Sequence, residues 1–385
     1  MQVLRVGDRG RAVAEVRSAL AGLGLLAPDG AAAAEDALFD EATDRAVRAF
    51  QQRRGLLTDG QVGHDTYREL KEASYRLGDR TLIYQLSAPM AGDDVAELQN
   101  RLLELGFDTG RADGLFGVRT DVALRTFQRE YGLTEDGIFG PGGMAALNQL
   151  GRKVTGGSPH RIREEEAVRL SGRQLRGKRI VIDPGHGGSD PGVLADGPRG
   201  PVREADLVWD LAARLEGRLS ATGVEVWLSR PRDAARTDHD RAAFANDLGA
   251  DLVLSLHADA APSPAASGIA TFHFGTDAGA SSATGELLAG YIQRELVART
   301  GLPDCRSHAR PWELLRRTRM PAVHVELGYL TSAPDQAVLT DPAGRDAIAD
   351  GLVVAVKRLY LLGEDDQPTG SFTFQELLAA ELSHG

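Results

Sequence analysis

The first 150 residues carry the same pattern twice, and this repeat limits the fold more than any other feature of the chain. VAEVRSALAGLG (13–24) aligns with VAELQNRLLELG (95–106), so that Val13, Val16, Leu20 and Leu23 match Val95, Leu98, Leu102 and Leu105. Apolar residues at i, i+3, i+7 and i+10 line one helical face, and Gly24 and Gly106 are C-terminal stops. FDEATDRAVRAFQQRRGLLTDGQVG (39–63) aligns with FGVRTDVALRTFQREYGLTEDGIFG (116–140) at an offset of 77 residues, against 82 for the first pair. The difference is extra loop in the first copy, around the alanine-rich stretch 31–34. Each copy predicts a first helix, a loop, a second helix (about 41–54 and 118–131) and a short third one (about 64–74 and 141–150). Two small all-α modules follow, spanning 1–75 and 84–150. Phe50, Phe127 and the leucine stripes read as their cores, not as a site.

Residues 151–177 are rich in Gly, Arg and Glu without a sustained apolar period, which reads as a linker with a short helix at 162–170. From 178 to 363 the pattern changes. Apolar strands at 179–183, 224–228, 252–256, 269–274 and 322–327 alternate with helical periods at about 204–222, 234–248, 283–300 and 343–361. That alternation predicts an α/β domain, a central sheet with helices on both faces. The tail, 364–385, is acidic and polar, then briefly amphipathic.

A chain of 385 residues is too long for one core. Its net charge of −11 argues against a nucleic-acid partner, since phosphate contacts need a basic face. Cys305 is the only cysteine, so neither an internal disulfide nor a thiolate metal site is available. Charges at Arg5, Asp8, Arg9 and Arg11 interrupt the apolar run of roughly 7–15 residues that a secretory signal needs. No stretch approaches the roughly 20 apolar residues of a membrane span. The expected location is cytoplasmic.

Chemistry concentrates where elements of the α/β domain end. IDPGHGGSDPG (182–192) leaves a strand directly and presents His186 among glycines, with Asp183 and Asp190 as nearby oxygens able to orient its imidazole or cap a turn. No Gly-Lys-Ser/Thr or dinucleotide fingerprint accompanies this loop, which argues against phosphate. Glu204 opens a helix, where a carboxylate alone is often just a dipole partner. His257 ends the buried strand LVLSLHADA. Glu326 lies inside the apolar run MPAVHVELGYL, where a carboxylate is costly unless paired, hydrogen-bonded or protonated. The structural alternative for Glu326 is an ion pair with Arg316 or Arg319. Two neutral imidazoles and a carboxylate make a tripod for Zn²⁺ with a fourth position open, and a further carboxylate is then available to move a proton.

Two families are legible in these motifs. The run D-G-x-F-G-x-x-T…F-Q-x-x-x-G-L-x-x-D-G-x-x-G resembles the peptidoglycan-binding module of bacterial cell-wall hydrolases. Asp113, Gly114, Phe116, Gly117, Thr120, Phe127, Gln128, Gly132, Asp136 and Gly137 carry it in the second copy. The first copy keeps Phe39, Thr43, Phe50, Gln51, Gly55, Asp59 and Gly60 but has Ala37 and Leu38 where Asp-Gly is expected. DPGHGG-x-D-x-G, the helix-opening Glu, R-x-x-x-A-N (Arg241, Asn246), S-L-H-A and M-P-A-V-x-V-E-L-G together resemble zinc-dependent N-acetylmuramoyl-L-alanine amidases. This resemblance implies zinc ligands at His186, Glu204 and His257 and a catalytic glutamate at Glu326. It implies metal-assisted hydrolysis of the bond between N-acetylmuramic acid and L-alanine, with peptidoglycan or a muropeptide as substrate. One departure is visible: Asp259 stands where the family usually has Asn, a change expected in the hydrogen bonds around the ligands rather than in the ligand set.

The overall layout also resembles an actinobacterial subgroup, the CwlM-type proteins. That likeness implies an alternative role as a cytoplasmic regulator of peptidoglycan precursor synthesis, with the UDP-N-acetylglucosamine enolpyruvyl transferase and a Ser/Thr kinase as partners. Thr369, Ser371 and Thr373 in the tail are the candidate phosphosites, the alternative being a plain solvated tail.

Overall fold

The computed structural model describes residues 3–27, 34–150, 164, 174–197, 200–263, 265–276 and 280–361. They form two compact units, one built on the helical repeats and one on the α/β domain. The tail with Thr369, Ser371 and Thr373 lies outside the described residues, as does the helix expected at 162–170 except for Glu164.

The repeats fold as α1 (Arg11–Gly22), α2 (Glu41–Arg54) and α3 (His64–Ser74), then α4 (Asp93–Glu104), α5 (Val118–Glu130) and α6 (Pro141–Leu150). Each copy buries its own core, around Val16, Leu20 and Phe50 in the first and Leu98, Leu102 and Phe127 in the second. The second core begins at Leu77, earlier than the expected boundary at 84. The cause is a short pairing of β1 (Leu82–Ile83) with β2 (Ile138–Phe139), which draws the connecting segment into the module.

The F-Q…D-G motif is an internal clasp. Gln51 Nε2 donates to Asp59 Oδ1 at 2.8 Å while its Oε1 accepts from Gly60 N at 2.9 Å. Gln128 repeats this with Asp136 at 2.8 Å and Gly137 N at 2.9 Å. A second clasp differs between copies. Gln99 holds the Asp113-Gly114 turn, donating to Asp113 Oδ1 at 2.9 Å and accepting from Gly114 N at 2.8 Å. The first copy has Arg17 at the matching position, and its Nη1 reaches Leu38 O at 3.2 Å and Asp40 Oδ1 at 2.9 Å. Leu38 and Leu115 occupy matching bridges, with Arg9 and Ala91, so Asp36-Ala37 is the counterpart of Asp113-Gly114, which corrects the expected register. The aspartate is kept and only the glycine is replaced; the clasp changes with Gln99 becoming Arg17, and the helical arrangement stays intact.

The α/β unit contains β3 (Arg179–Pro184), β4 (Leu194–Gly197), β5 (Gly200–Arg203), α7 (Glu204–Ser220), β6 (Glu225–Leu228), α8 (Asp238–Leu248) and β7 (Leu252–Asp259). It continues with β8 (Ile269–Phe274), α9 (Ala283–Thr300), β9 (Asp304–Arg310), α10 (Glu313–Arg317), β10 (Ala322–Tyr329), α11 (Ala333–Thr340) and α12 (Pro342–Leu361). Six strands form one sheet in the order β6-β3-β7-β10-β8-β9. Only the β10–β8 pairing is antiparallel, so the sheet is mixed.

Strand alternation sorts this sheet into two different faces. Ile180, Ile182, Leu254, Leu256, Val323 and Val325 point into a large apolar core shared with α7, α9 and α12. The intervening residues Asp183, Ser255, His257, His324 and Glu326 belong to the other face. The register pairs Asp183 with Ser255, His324 with Ser255 and Glu326 with His257. One face therefore supplies stability and the other supplies polar side chains in a row.

The α/β unit begins earlier than the expected 178. Leu175 is in its core, and Gly177 N donates to Gly223 O at 3.1 Å. Glu164 is also engaged with it, accepting from Ser282 Oγ at 2.6 Å and from Thr284 N at 3.2 Å. An acidic side chain at the start of α9 satisfies a free helix amide and complements the helix dipole. The expected linker is thus not wholly a connector.

A buried ion pair ties α12 to α9: Arg358 Nη1 lies 2.7 Å from Glu295 Oε1, and neither side chain is exposed. Glu295 Oε2 also accepts from Arg299 Nη2 at 2.9 Å, so the carboxylate keeps one cationic partner when Arg358 is removed. Arg358→Leu is expected to cost about 1.5–3 kcal/mol, the worth of one hydrogen bond to a charged group, read as a lower midpoint in urea denaturation. Among the described residues no helix is long and apolar enough to cross a membrane.

Candidate metal centre and active site

His186 follows β3 in a sharp loop and adopts a left-handed backbone, φ 58°. A non-glycine residue there is strained and persists only when its surroundings hold it. Two buried arginines do so. Arg230 donates from Nε to Pro184 O and from Nη2 to Gly185 O, both at 2.8 Å, and Arg241 Nη2 donates to His186 O at 3.0 Å. Arg241 also pairs with Asp183 at 3.1 Å. Asp183 further accepts from Ser229 Oγ and from Ser255 Oγ. Burial would raise the Asp183 carboxyl, but the Arg241 charge and the two hydroxyls outweigh it and hold it below the usual range.

Glu204, the first residue of α7, is brought to the same place. Its Oε2 accepts from Val193 N at 2.9 Å and its Oε1 from Ala258 N at 3.0 Å. His186 Nε2 lies 3.0 Å from Glu204 Oε2, and His257 Nδ1 lies 3.1 Å from Glu204 Oε1. One ligand atom from each of the three residues lies within 4.8 Å of the others. Glycine is required on two sides. A Cβ at Gly185 would run into the His257 ring, and one at Gly192 into Glu204 and His186.

These residues fit a divalent cation. A tetrahedral ion with bonds of about 2.0–2.2 Å spaces its ligand atoms about 3.4 Å apart, close to the 3.0 and 3.1 Å between each imidazole and Glu204. The His186 ring is oriented from behind, its Nδ1–H donating to Asp190 Oδ2 at 2.8 Å. That bond leaves the Nε2 lone pair facing a carboxylate oxygen, two acceptors that attract each other only through a shared proton or a metal ion.

Without a metal the proton takes that place. The hydrogen bond to Glu204, with its charge and that of Asp190, outweighs burial and raises His186 to about 9. For His257, burial alone would lower the pKa, but Glu204 and the Glu326 charge turn the shift upward. Glu204 is correspondingly held far below the usual carboxylate range: burial opposes ionisation, and the two imidazoles and the Val193 amide prevail. A cation must therefore displace at least one proton from His186. Its affinity is expected to rise with pH, close to tenfold per unit per proton displaced until about pH 9, and then to level off. Zinc titrations across that range, in buffers of different ionisation enthalpy, measure both the slope and the released protons.

Glu326 stands beside His257 in the sheet register. Its Oε1 accepts from His324 Nε2 at 2.9 Å, whereas Oε2 is buried with no hydrogen-bond partner among the described residues. Neither Arg316 nor Arg319 forms the ion pair considered for it; His324 is its partner. His324 gave no motif signal. Strand alternation carried one, since a residue two before Glu326 shares its face.

The three aspartates separate in role. Asp190 orients a ligand, Asp183 anchors the loop scaffold, and Asp259 does neither. Its Oδ1 accepts from Ala260 N at 2.7 Å, and no bond joins it to an imidazole, which corrects the expectation placed on it. Burial and the neighbouring Glu326 charge push the Asp259 carboxyl upward. Arg241 and Asn246 of the R-x-x-x-A-N motif are structural as well. Asn246 Nδ2 donates to Arg317 O and its Oδ1 accepts from Arg319 N, both at 2.8 Å, fixing the approach to β10. Exposure is uneven: the His186 side chain is 28% exposed and Glu204 only 2%, so the site meets solvent through its imidazole side.

The N-acetylmuramoyl-L-alanine amidase family model matches residues 180–358, and that of a peptidoglycan binding domain matches 9–70 and 91–147. The chain is 58% identical to N-acetylmuramoyl-L-alanine amidase CwlM of Mycobacterium tuberculosis over 386 aligned residues, 99% of this chain and 95% of that one. It is 35% identical to N-acetylmuramoyl-L-alanine amidase LytC of Bacillus subtilis over 182 residues, 46% of this chain and 35% of that protein. Among solved structures, the catalytic domain of the amidase CwlV from Bacillus (Paenibacillus) polymyxa var. colistinus aligns with 28% identity and a TM-score of 0.43, over 47% of this chain and 97% of that one. The chain belongs to the N-acetylmuramoyl-L-alanine amidase family.

Proposed function

We propose that this chain is a zinc-dependent hydrolase of the amide bond between N-acetylmuramic acid and L-alanine in peptidoglycan or its fragments. The observation that carries the proposal is the convergence of His186, Glu204 and His257, with Glu326 beside them on the same sheet face. The two peptidoglycan-binding modules support a polymeric cell-wall substrate.

A divalent cation on the tripod supplies Lewis acidity toward water and the lactyl carbonyl oxygen. The rest falls to side chains of the chain. Asp190 holds the tautomer that aims His186 Nε2 inward. The Val193 and Ala258 amides keep Glu204 ionised and in place. Glu326 takes a proton from the attacking water as its oxygen bonds to the carbonyl carbon. The same carboxyl returns that proton to the alanine nitrogen as the C–N bond breaks, giving a free carboxylate on the sugar and a free amine on the peptide.

The residues that would carry the regulatory alternative, Thr369, Ser371 and Thr373, lie outside the described residues, and no described feature favours it. The test of the hydrolase is release of L-alanine-terminated stem peptide from a defined muropeptide. Chelation should abolish it and added zinc restore it. Turnover unaffected by complete metal removal would refute the proposal.

A further inference from the structure

His324 fills the unspecified position of the M-P-A-V-x-V-E-L-G run, yet it sits in the middle of the polar face. Its ring stacks on His257, centroids 4.4 Å apart and planes 18° off parallel. Trp312 meets it edge-on at 4.9 Å and 77°, with Phe272 packed against Trp312 at 4.4 Å. The ring is thus held by neighbours on β7, on β8 and at the start of α10. Its Nε2 donates to Glu326 Oε1 at 2.9 Å. Oε2 of the same carboxylate is buried and has no donor among the described residues.

We infer that His324 is the positioning residue of Glu326, fixing its carboxylate through one oxygen so that the other is left as the working base. The inference rests on the zinc amidase function proposed above. A glutamate side chain has three rotatable bonds, and a base displaced by an ångström loses much of its effect. Occupying Oε1 with a donor on a clamped ring removes that freedom. It also leaves unmet the oxygen that must accept a proton from water, a group whose hydrogen-bonding capacity is costly to waste in a buried place.

The competing possibility is that His324 is itself a metal ligand, because His257, His324 and Glu326 also bring one ligand atom each within 4.8 Å. The experiment separates the two. Full-length wild type, His324→Leu, His324→Gln, Glu326→Gln and the double variant His324→Leu/Glu326→Gln are compared for zinc content and for kcat and KM on a defined muropeptide. His324→Leu should retain its zinc and lose about 10–100-fold in kcat, as the loss of an orienting partner typically costs. Its KM should stay within about twofold, since the bond helps the reaction and not ground-state binding. His324→Gln, which keeps an N–H donor, should recover most of the rate. In the Glu326→Gln background the leucine change should add little, because the two residues act as a unit.

Zinc lost with His324→Leu would overturn the inference in favour of a ligand. A wild-type rate in His324→Leu, or a glutamine variant as slow as the leucine one, would also overturn it while Glu326→Gln stays inactive. Full activity of Glu326→Gln, or no turnover by the wild type, would instead remove the proposed function and the inference with it.

Discussion

Glu326→Gln is expected to keep its zinc and lose turnover by about 10²–10⁴-fold, the usual contribution of a positioned acid–base group. The substitution is nearly isosteric. It preserves the oxygen that accepts from His324 Nε2, so the strand and the stacked imidazoles have no reason to move. It removes only the capacity to take and return a proton. The tripod consists of His186, Glu204 and His257, so metal content should be unchanged. Equal turnover in this variant would show that proton transfer runs through another group.

Glu204→Ala is expected to strip the metal and loosen the fold around it. Three losses coincide. The site forfeits one of three ligands, which should cost more affinity than the roughly 10–100-fold of losing an outer partner. The Val193 and Ala258 amides, which now donate to the carboxylate, are left unsatisfied at about 1–3 kcal/mol each. The imidazoles also lose the charge that raises their pKa values, so His186 should titrate well below its present value of about 9. Metal analysis and thermal melts with and without chelator read both effects. A variant that binds zinc as tightly as the wild type would place the ion elsewhere.

The fold was largely legible because its periods are regular. Apolar stripes placed α2, α3 and α6 at their observed bounds. The buried strands read nearly as well, since each is packed on at least one apolar face, although β7 and β10 run on to Asp259 and Tyr329, past their expected ends at 256 and 327. Polar and irregular elements carry no such signal. β9, DCRSHAR, is an edge strand that pairs only with β8 and buries little, so no apolar run announces it. The β4–β5 hairpin is short and built partly of Gly and Pro, residues that ordinarily signal loops. In the site, His186, Glu204 and His257 are legible because each stands at or within two residues of an element end, in a recognisable motif. Arg230 and His324 are not. Arg230 acts through backbone carbonyls, which no side-chain pattern reveals, and His324 matters through neighbours distant in sequence.

The decisive measurement is anomalous diffraction at the zinc edge from crystals of the full-length protein grown with zinc. A single strong peak is expected about 2.0–2.2 Å from His186 Nε2, a Glu204 carboxylate oxygen and His257 Nδ1, with Glu326 outside the bonding distance. A peak centred on His257, His324 and Glu326 instead, or none at the tripod when zinc is saturating, would contradict the assignment of ligands and base on which the proposed hydrolysis depends.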